Sequence, residues 1–571
     1  MMSIRRVMAA AIFVAGLAAP AFSQPDHGRF DGRNGIQRVL LISIDGMHAV
    51  DYENCVNGGY CPNLASLGRH GVNYPRASTT KPSDSFPGLV ALMTGASPKT
   101  AGVFYDVAYD RVLAPPSLAT SYGVGPGICT AGKPNGTTTE FDEAIEFDYT
   151  KLNGGNPIYA TIDGGVLGID PARLPRDPYH GCQPLFPWNF VRVNTILGVI
   201  HAAGGYTAWS DKHPAYAIVS GPGNSFSNVD DFYAPEINSN VIPLPGITTP
   251  TGDNCAAPAV ASGDWTTDFV NVRCYDTLKV NAIVNEIDGK THLGQPNGHK
   301  VPNIFGMNFQ AVSVGEKLIE SDVYGGYSDA AATPTPAMLT ELIFVDRSIG
   351  RMVAELNNQN LMDSTLIIIT AKHGQSPIDN KRFFPIPGPG AIPNGASPAT
   401  VLVTADPGFL PYSESPLNPT GIGPTEDDIS QLWLAPGKSL LGAVALLESN
   451  ASTAGIGEIF YGASLQTMFH APGLPPNGDS RVPDIIVAPK VGVVYTGSSS
   501  KQAEHGGFAH DDTNVMMLVS NPGIEASTIT SAVETAQVAP TILQVLGLDP
   551  NQLQGVQAEG TPVLPGLNLG N

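Results

Sequence analysis

Two apolar runs in this 571-residue chain carry a polar residue at the end where chemistry is done. Arg38-Val39-Leu40-Leu41-Ile42-Ser43-Ile44 is apolar after its first residue but for Ser43, as a parallel strand covered on both faces should be, and Asp45-Gly46 follows it. Open α/β sheets place their ligands at the carboxyl ends of strands. Further on, Ser85 opens the apolar run Phe86-Pro87-Gly88-Leu89-Val90-Ala91-Leu92-Met93. A hydroxyl there is expected beside free backbone N–H groups and the positive end of a helix dipole, a setting for an oxyanion or a phosphate. The same position also suits a simple N-cap. Leu366-Ile367-Ile368-Ile369-Thr370 runs into Ala371-Lys372-His373-Gly374, and Glu504-His505-Gly506-Gly507 stands late in the chain. A carboxylate, a helix-start hydroxyl, an ammonium and two imidazoles at one sheet edge would suit phosphoryl transfer assisted by a metal or another cation. Asp211, His213, His510, Asp511 and Asp512 offer ligand chemistry too, but each fits a surface or salt-bridge role equally well.

The elements that must position these groups alternate. Residues 38–110 read as strand, helix, strand, helix. A helix over 191–200 leads to a short strand before Trp209-Ser210-Asp211-Lys212-His213. Ile304–Phe309 reads as a strand, and 336–358 as a long amphipathic helix with Leu339, Leu342, Ile343, Ile349, Met352 and Val353 on one face. Ile485-Ile486-Val487 and 515–519 are further strands, and 534–547 is a closing helix. This order predicts a doubly wound, mostly parallel sheet flanked by helices. With 63 Gly and 50 Pro, long loops are expected, and loop-rich insertions fall near 111–190, 220–275 and 380–480.

Residues 1–23 read as a signal peptide: basic Arg5-Arg6, an apolar stretch from Val7 to Ala19 too short for a comfortable span, and small residues at Ala21-Phe22-Ser23. The formal charge is −21, or −23 without the two leader arginines. Such a field disfavours nucleic acid polymers and anionic membranes, while a local cation still permits a small anionic substrate. Six cysteines suit an oxidising compartment. Cys55 with Cys61, Cys255 with Cys274, and Cys129 with Cys182 make one plausible pairing among the fifteen that six cysteines allow.

Ile44-Asp45-Gly46, Pro62-Asn63-Leu64 with Gly71-Val72, Ser83-Asp84-Ser85-Phe86-Pro87 with Thr94-Gly95, His373-Gly374, His505-Gly506 and Val538-Ala539-Pro540-Thr541-Ile542-Leu543 occur in an order that resembles the alkaline phosphatase superfamily. The resemblance is to its type I phosphodiesterase/nucleotide pyrophosphatase branch and spreads over 38–548. It implies an alkaline-phosphatase-like α/β hydrolase domain over 38–571 and a Ser or Thr nucleophile that forms a covalent phospho-enzyme. It also implies two zinc ions held at seven ligand positions. Asp45 matches the first-strand ligand, Ser85 the nucleophile, His373 the His of an Asp-His pair, and His505 the late His. Three positions depart: Lys372 replaces an Asp, Val312 an Asp and Glu316 a His. Gly88 replaces an Asn that contacts phosphate in the nucleotide pyrophosphatases.

A protonated ammonium repels a metal. The expectation is therefore at most one divalent ion, zinc or manganese, or none, held by Asp45, His373, His505 and Glu316, or with Asp512 in place of Glu316. Lys372 would stand in for the missing ion. The expected protein is an exported phosphoester hydrolase, periplasmic or secreted, with catalytic Ser85, Lys372, His373 and Asp45. Its partner is a small phosphoester rather than a nucleic acid polymer, and it has no stable membrane anchor. The rival readings are a non-catalytic periplasmic binding protein on a decayed hydrolase fold, and a sulfatase or phosphonate hydrolase. Oligomeric state is not legible in the sequence.

Overall fold

The computed structural model describes residues 30–567 except 31, 33–34, 121–123, 142–144, 146–165, 224, 239–246, 256–264, 388–395 and 412–425. Residues 1–23, expected to be a signal peptide, lie outside the described residues.

An eight-stranded sheet runs through the centre. Its strands are β1 (Arg38–Ile44), β2 (Gly71–Asn73), β3 (Ala208–Ser210), β4 (Asp231–Tyr233), β5 (Ile304–Phe309), β6 (Thr365–Thr370), β7 (Leu518–Ser520) and β8 (Ser527–Thr528), in the order β8-β2-β7-β6-β1-β5-β3-β4. β1 pairs in parallel with β5 and β6, and β7 alone is antiparallel to its neighbours β6 and β2. The apolar runs of β1 and β6 are explained by two cores. Val39, Leu41, Leu366 and Ile368 face one hydrophobic cluster, and Leu40, Ile42, Ile44, Ile367 and Ile369 face the other. Alternate side chains point to opposite faces, so a strand sandwiched between two helix layers must be apolar at every position. Each buried aliphatic contributes about 1.5–3 kcal/mol.

The first core is covered by helices α1 (Ser85–Thr94) and α5 (Val538–Val545), the second by α2 (Phe269–Ile287), α3 (Ala311–Lys317) and α4 (Pro336–Asn358). The helix at 336–358 matches its predicted span. The insertion expected over 220–275 is partly regular: it contains β4 and the start of the 19-residue α2. The α2 pattern is hidden because its buried residues include charged ones among the apolar. Arg273 pairs with the buried Glu341 and the partly exposed Asp253, and buried Lys279 pairs with Asp276.

The stretch near 380–480, expected as a loop-rich insertion, includes a helix at Pro398–Ala405 and a strand at Ser430–Leu432. That strand, Ile456–Tyr461 and Ile485–Pro489 form a separate antiparallel sheet. Its apolar face packs with Leu402, Ala443, Val444 and Leu447 into a core of its own. Disulfides join Cys55–Cys61, Cys129–Cys182 and Cys255–Cys274, the pairing considered plausible from sequence. Among the described residues no helix is long and apolar enough to cross a membrane.

Candidate active site

The carboxyl ends of β1, β3 and β6 meet the start of α1. Asp45, Ser85, Lys372 and His373 are each fully buried there. Asp84, not Ser85, is the N-cap residue, so Ser85 is the first helical residue and its hydroxyl is free to face the sheet. The Ser85 Oγ lies 3.1 Å from His373 Nε2 and accepts a hydrogen bond from Lys212 Nζ at 3.0 Å. The other ring nitrogen of His373 lies 2.8 Å from the Gly374 carbonyl. A proton on that nitrogen leaves Nε2 as an acceptor for the serine proton.

Close approach fixes this arrangement. A Cβ at Gly88 would sit 2.1 Å from the Lys372 carbonyl oxygen. Glycine one turn into α1 therefore lets the helix lie directly on the strand end that carries Lys372 and His373. This is the local role of the Gly that stands where the nucleotide pyrophosphatases have Asn.

Asp45 Oδ2 accepts hydrogen bonds from Asn308 at 3.1 Å and Gln310 at 2.5 Å, and lies 3.6 Å from His373 Nε2 and 3.7 Å from Lys212 Nζ. Burial alone would raise its carboxyl. Lys372, His373 and Lys212 outweigh burial and hold it well below the usual carboxylate range. Lys372 Nζ donates to Asp211 Oδ1 at 2.9 Å and sits 4.1 Å above the Tyr216 ring. Burial lowers its ammonium against the pull of Asp211 and Asp45. His505 lies against His373 with ring centroids 4.0 Å apart and the rings tilted by 40°, and its Nδ1 is 3.2 Å from Asp84 Oδ1. Burial, then the charges of His373, Lys317 and Lys212, push it well below the usual histidine range, so it is neutral near pH 7.

The expected phosphate cradle of free amides is not present. The Phe86 N–H donates to Asp106 Oδ1 at 2.7 Å, and Pro87 has no N–H to offer. Asp106 in turn donates its own amide to Asp84 Oδ2. Burial and the Asp106 charge raise Asp84 well above the normal carboxylate range. These two carboxyls close the helix start that sequence alone leaves open, and cationic side chains remain to face an oxyanion.

The structure brings Asp45, Ser85, Lys372, His373 and His505 together and leaves other candidates apart. Glu316 lies on the far side of Gly46, 3.2 Å from His48 Nδ1, and accepts from Tyr327 at 2.5 Å. Val312 is packed in the second core. His213 pairs with Glu236. The Asp512 carboxyl lies beside Asp428 while its main-chain oxygen accepts from Ser83 Oγ and the Gly374 amide, and Asp511 accepts from the Ile378 amide. His510 is exposed. Lys212, the cation that touches Ser85, is the residue the sequence reading missed. The signal was the polar run Asp211-Lys212-His213 at a strand end.

These residues do not fit the two-zinc centre that the resemblance implies. Lys212 Nζ stands within reach of both Ser85 Oγ and Asp45 Oδ2, where an ion shared by those two would be, and Lys372 is committed to Asp211. Among the described residues, the one grouping of three close His and carboxylate ligands is His48, Asp51 and Glu316, beyond Gly46.

The architecture and the site together define an alkaline-phosphatase-like α/β protein. The family described as type I phosphodiesterase / nucleotide pyrophosphatase matches residues 39–121 and 313–418, the segments that hold Asp45, Ser85, Lys372 and His373. The murine ectonucleotide pyrophosphatase / phosphodiesterase 5 structure superposes with a TM-score of 0.51 at 14% identity, covering 90% of this chain and 96% of the other. An inactive variant of the murine protein in complex with AMP gives the same figures. The human protein gives 0.49 at 13%, over 90% and 95%. At such identity the likeness shows the fold. No curated protein matches the chain. Two segments of the chain thus match the type I phosphodiesterase / nucleotide pyrophosphatase family, and the fold is that of the nucleotide pyrophosphatase structures.

Proposed function

We propose that the protein hydrolyses a phosphodiester or nucleotide-type pyrophosphate bond through a covalent Ser85 intermediate, in the periplasm or outside the cell. The observation that carries this is the Ser85 hydroxyl held between a base and a cation, His373 Nε2 at 3.1 Å and Lys212 Nζ at 3.0 Å. The family match and the AMP complex of a structural neighbour support the choice of substrate class; the three disulfides suit the compartment.

His373 Nε2 takes the Ser85 proton as Oγ attacks phosphorus in line. The Oγ–P bond forms and the bond to the leaving oxygen breaks. Lys212 faces the alkoxide and then a phosphoryl oxygen, taking the role expected of Lys372. Lys372 anchors Asp211 and so positions the segment that presents Lys212. Asp45 balances the charge of Lys212 and orients it. The leaving oxygen takes its proton from solvent beside His505, whose side chain is 13% exposed, and His373 releases the Ser85 proton to solvent; water then cleaves the Ser85–phosphorus bond, with the neutral His373 taking the water proton and returning it to Ser85 Oγ. The reading requires no metal at Ser85 and at most one zinc or manganese ion in the whole chain.

A panel of chromogenic phosphodiester, phosphomonoester and sulfate substrates tests it, with acid quenching and peptide mass spectrometry of Ser85. The expected result is turnover of the diester and a phosphorylated adduct on Ser85. Turnover of sulfate alone would favour the sulfatase reading. Tight binding of nucleotide without turnover of any ester would favour a binding protein.

A further inference from the structure

Beyond Gly46, a second polar cluster is buried against the active-site strand. His48, Asp51, Glu316 and Tyr327 are each at most 3% exposed. His48 Nδ1 lies 3.0 Å from Asp51 Oδ2, 3.2 Å from Glu316 Oε1 and 3.0 Å from the Tyr327 hydroxyl. These are hydrogen-bond distances, and ligand atoms held 2.0–2.1 Å from a tetrahedral zinc are about 3.3 Å apart, so a small outward shift of the three groups would admit an ion. His48 Nε2 faces the main chain of Gln375, 2.9 Å from its carbonyl oxygen and 3.1 Å from its amide nitrogen. The Gln375 amide donates to Nε2, which leaves the ring proton on Nδ1; binding an ion at Nδ1 would move that proton to Nε2, where the Gln375 carbonyl is placed to accept it.

Two further observations point to a ligand. Asp51 Oδ1 and Glu316 Oε2 are buried and make no hydrogen bond. A cavity of about 10 Å³, lined by Glu316, Tyr327 and Gln375, adjoins the cluster, which is room for one water. The Tyr327 hydroxyl lies within hydrogen-bond reach of Asp51 Oδ2 and Glu316 Oε1, so it and His48 are the partners beside which an ion would enter.

We propose that His48 Nδ1, Asp51 and Glu316 bind one zinc ion per chain, with water from the adjoining cavity as a further ligand. The site is separate from Ser85. The ion braces the turn after β1 against α3 and so steadies the strand end that presents Asp45. This goes beyond the proposed hydrolysis, and its test does not read turnover.

Chelator-stripped protein is titrated with cobalt(II) and with zinc. The expected result is one equivalent bound, with the visible bands of four-coordinate cobalt. X-ray absorption of the zinc-loaded wild type should show a shell of oxygens and one imidazole nitrogen. Asp51→Asn and Glu316→Gln should each weaken binding at least tenfold, while His505→Ala leaves it unchanged. Absence of stoichiometric binding overturns the proposal and makes the cluster an imidazolium held between carboxylates. A shell with two imidazoles that is lost in His505→Ala also overturns it and moves the ion to Asp45, His373 and His505. The wild-type shell decides between these outcomes even where a variant fails to fold.

Discussion

Replacing Lys212 by Met removes the ammonium that touches Ser85 and keeps a stem of similar length. At 3.0 Å from Oγ and an effective dielectric of about 20, a unit charge interacts with a full alkoxide by about 5 kcal/mol. Part of that interaction is already present with the neutral hydroxyl. Removing a single oxyanion donor elsewhere costs about 10²–10³ in kcat, or about 2.7–4 kcal/mol. Lys212→Met should therefore lower kcat about 10²–10³-fold on the best diester. Its KM should change far less, because the charge is needed most as negative charge develops in the transition state. Thermal melting serves as the control, since Asp45 keeps its bonds from Asn308 and Gln310. Steady-state kinetics on wild type and variant make the measurement. A variant within about threefold of wild-type kcat would refute the assignment of Lys212 as the oxyanion cation.

Ser85→Ala should abolish turnover and the covalent adduct while costing no more than about 1–3 kcal/mol, the loss of one buried hydroxyl's partners; residual near-wild-type rates would place the nucleophile elsewhere. Lys372→Ala should cost more stability than Lys212→Met, because it strands the fully buried Asp211, and a melting comparison reads this directly. Elemental analysis should find no more than one divalent ion per chain; two zinc ions would show that Lys212 and Lys372 do not exclude the family's centre. Burial, ahead of the Asp511 charge, raises Asp512 from 3.8 to about 6, so its contribution to stability is full below pH 3.8 and falls as pH rises through 6. Relative to wild type, Asp512→Asn should gain up to about 3 kcal/mol between pH 4 and pH 7 in denaturant titrations.

The groups legible in the sequence sit where long buried runs end. β1 and β6 are apolar at nearly every position because each feeds two cores, and that pattern marks Asp45, Lys372 and His373 as strand-end residues. Lys212 escaped because β3 has only three residues, too few for periodicity to set its end apart. The closed helix start was equally hidden: Asp106 is 20 residues from the Phe86 amide it accepts from, and nothing local announces that contact. Glu316 was placed with Asp45 and the two histidines because it stands where the family pattern has a ligand His, whereas the structure sets it against His48. Val312 and Glu316 are four apart and share a helix face, but Val312 is locked in the second core and Glu316 reaches His48.

The departures from the family pattern make physical sense as a set. Two zinc ions would bring four positive charges and would need several carboxylates around them. Here the pocket opposes Lys212 and Lys372 with Asp45 and Asp211, a balance of two against two. A third carboxylate at 312 would be a buried charge without a partner, and valine there extends the core instead. Restoring one family ligand alone, as in Lys372→Asp, would leave Asp211 facing a second carboxylate beside Asp45. That variant should lose activity rather than regain a metal, and zinc added to it during steady-state assays should not restore turnover. Rescue by zinc would show that the lysines replaced the ions one position at a time and that the site still tolerates either cation.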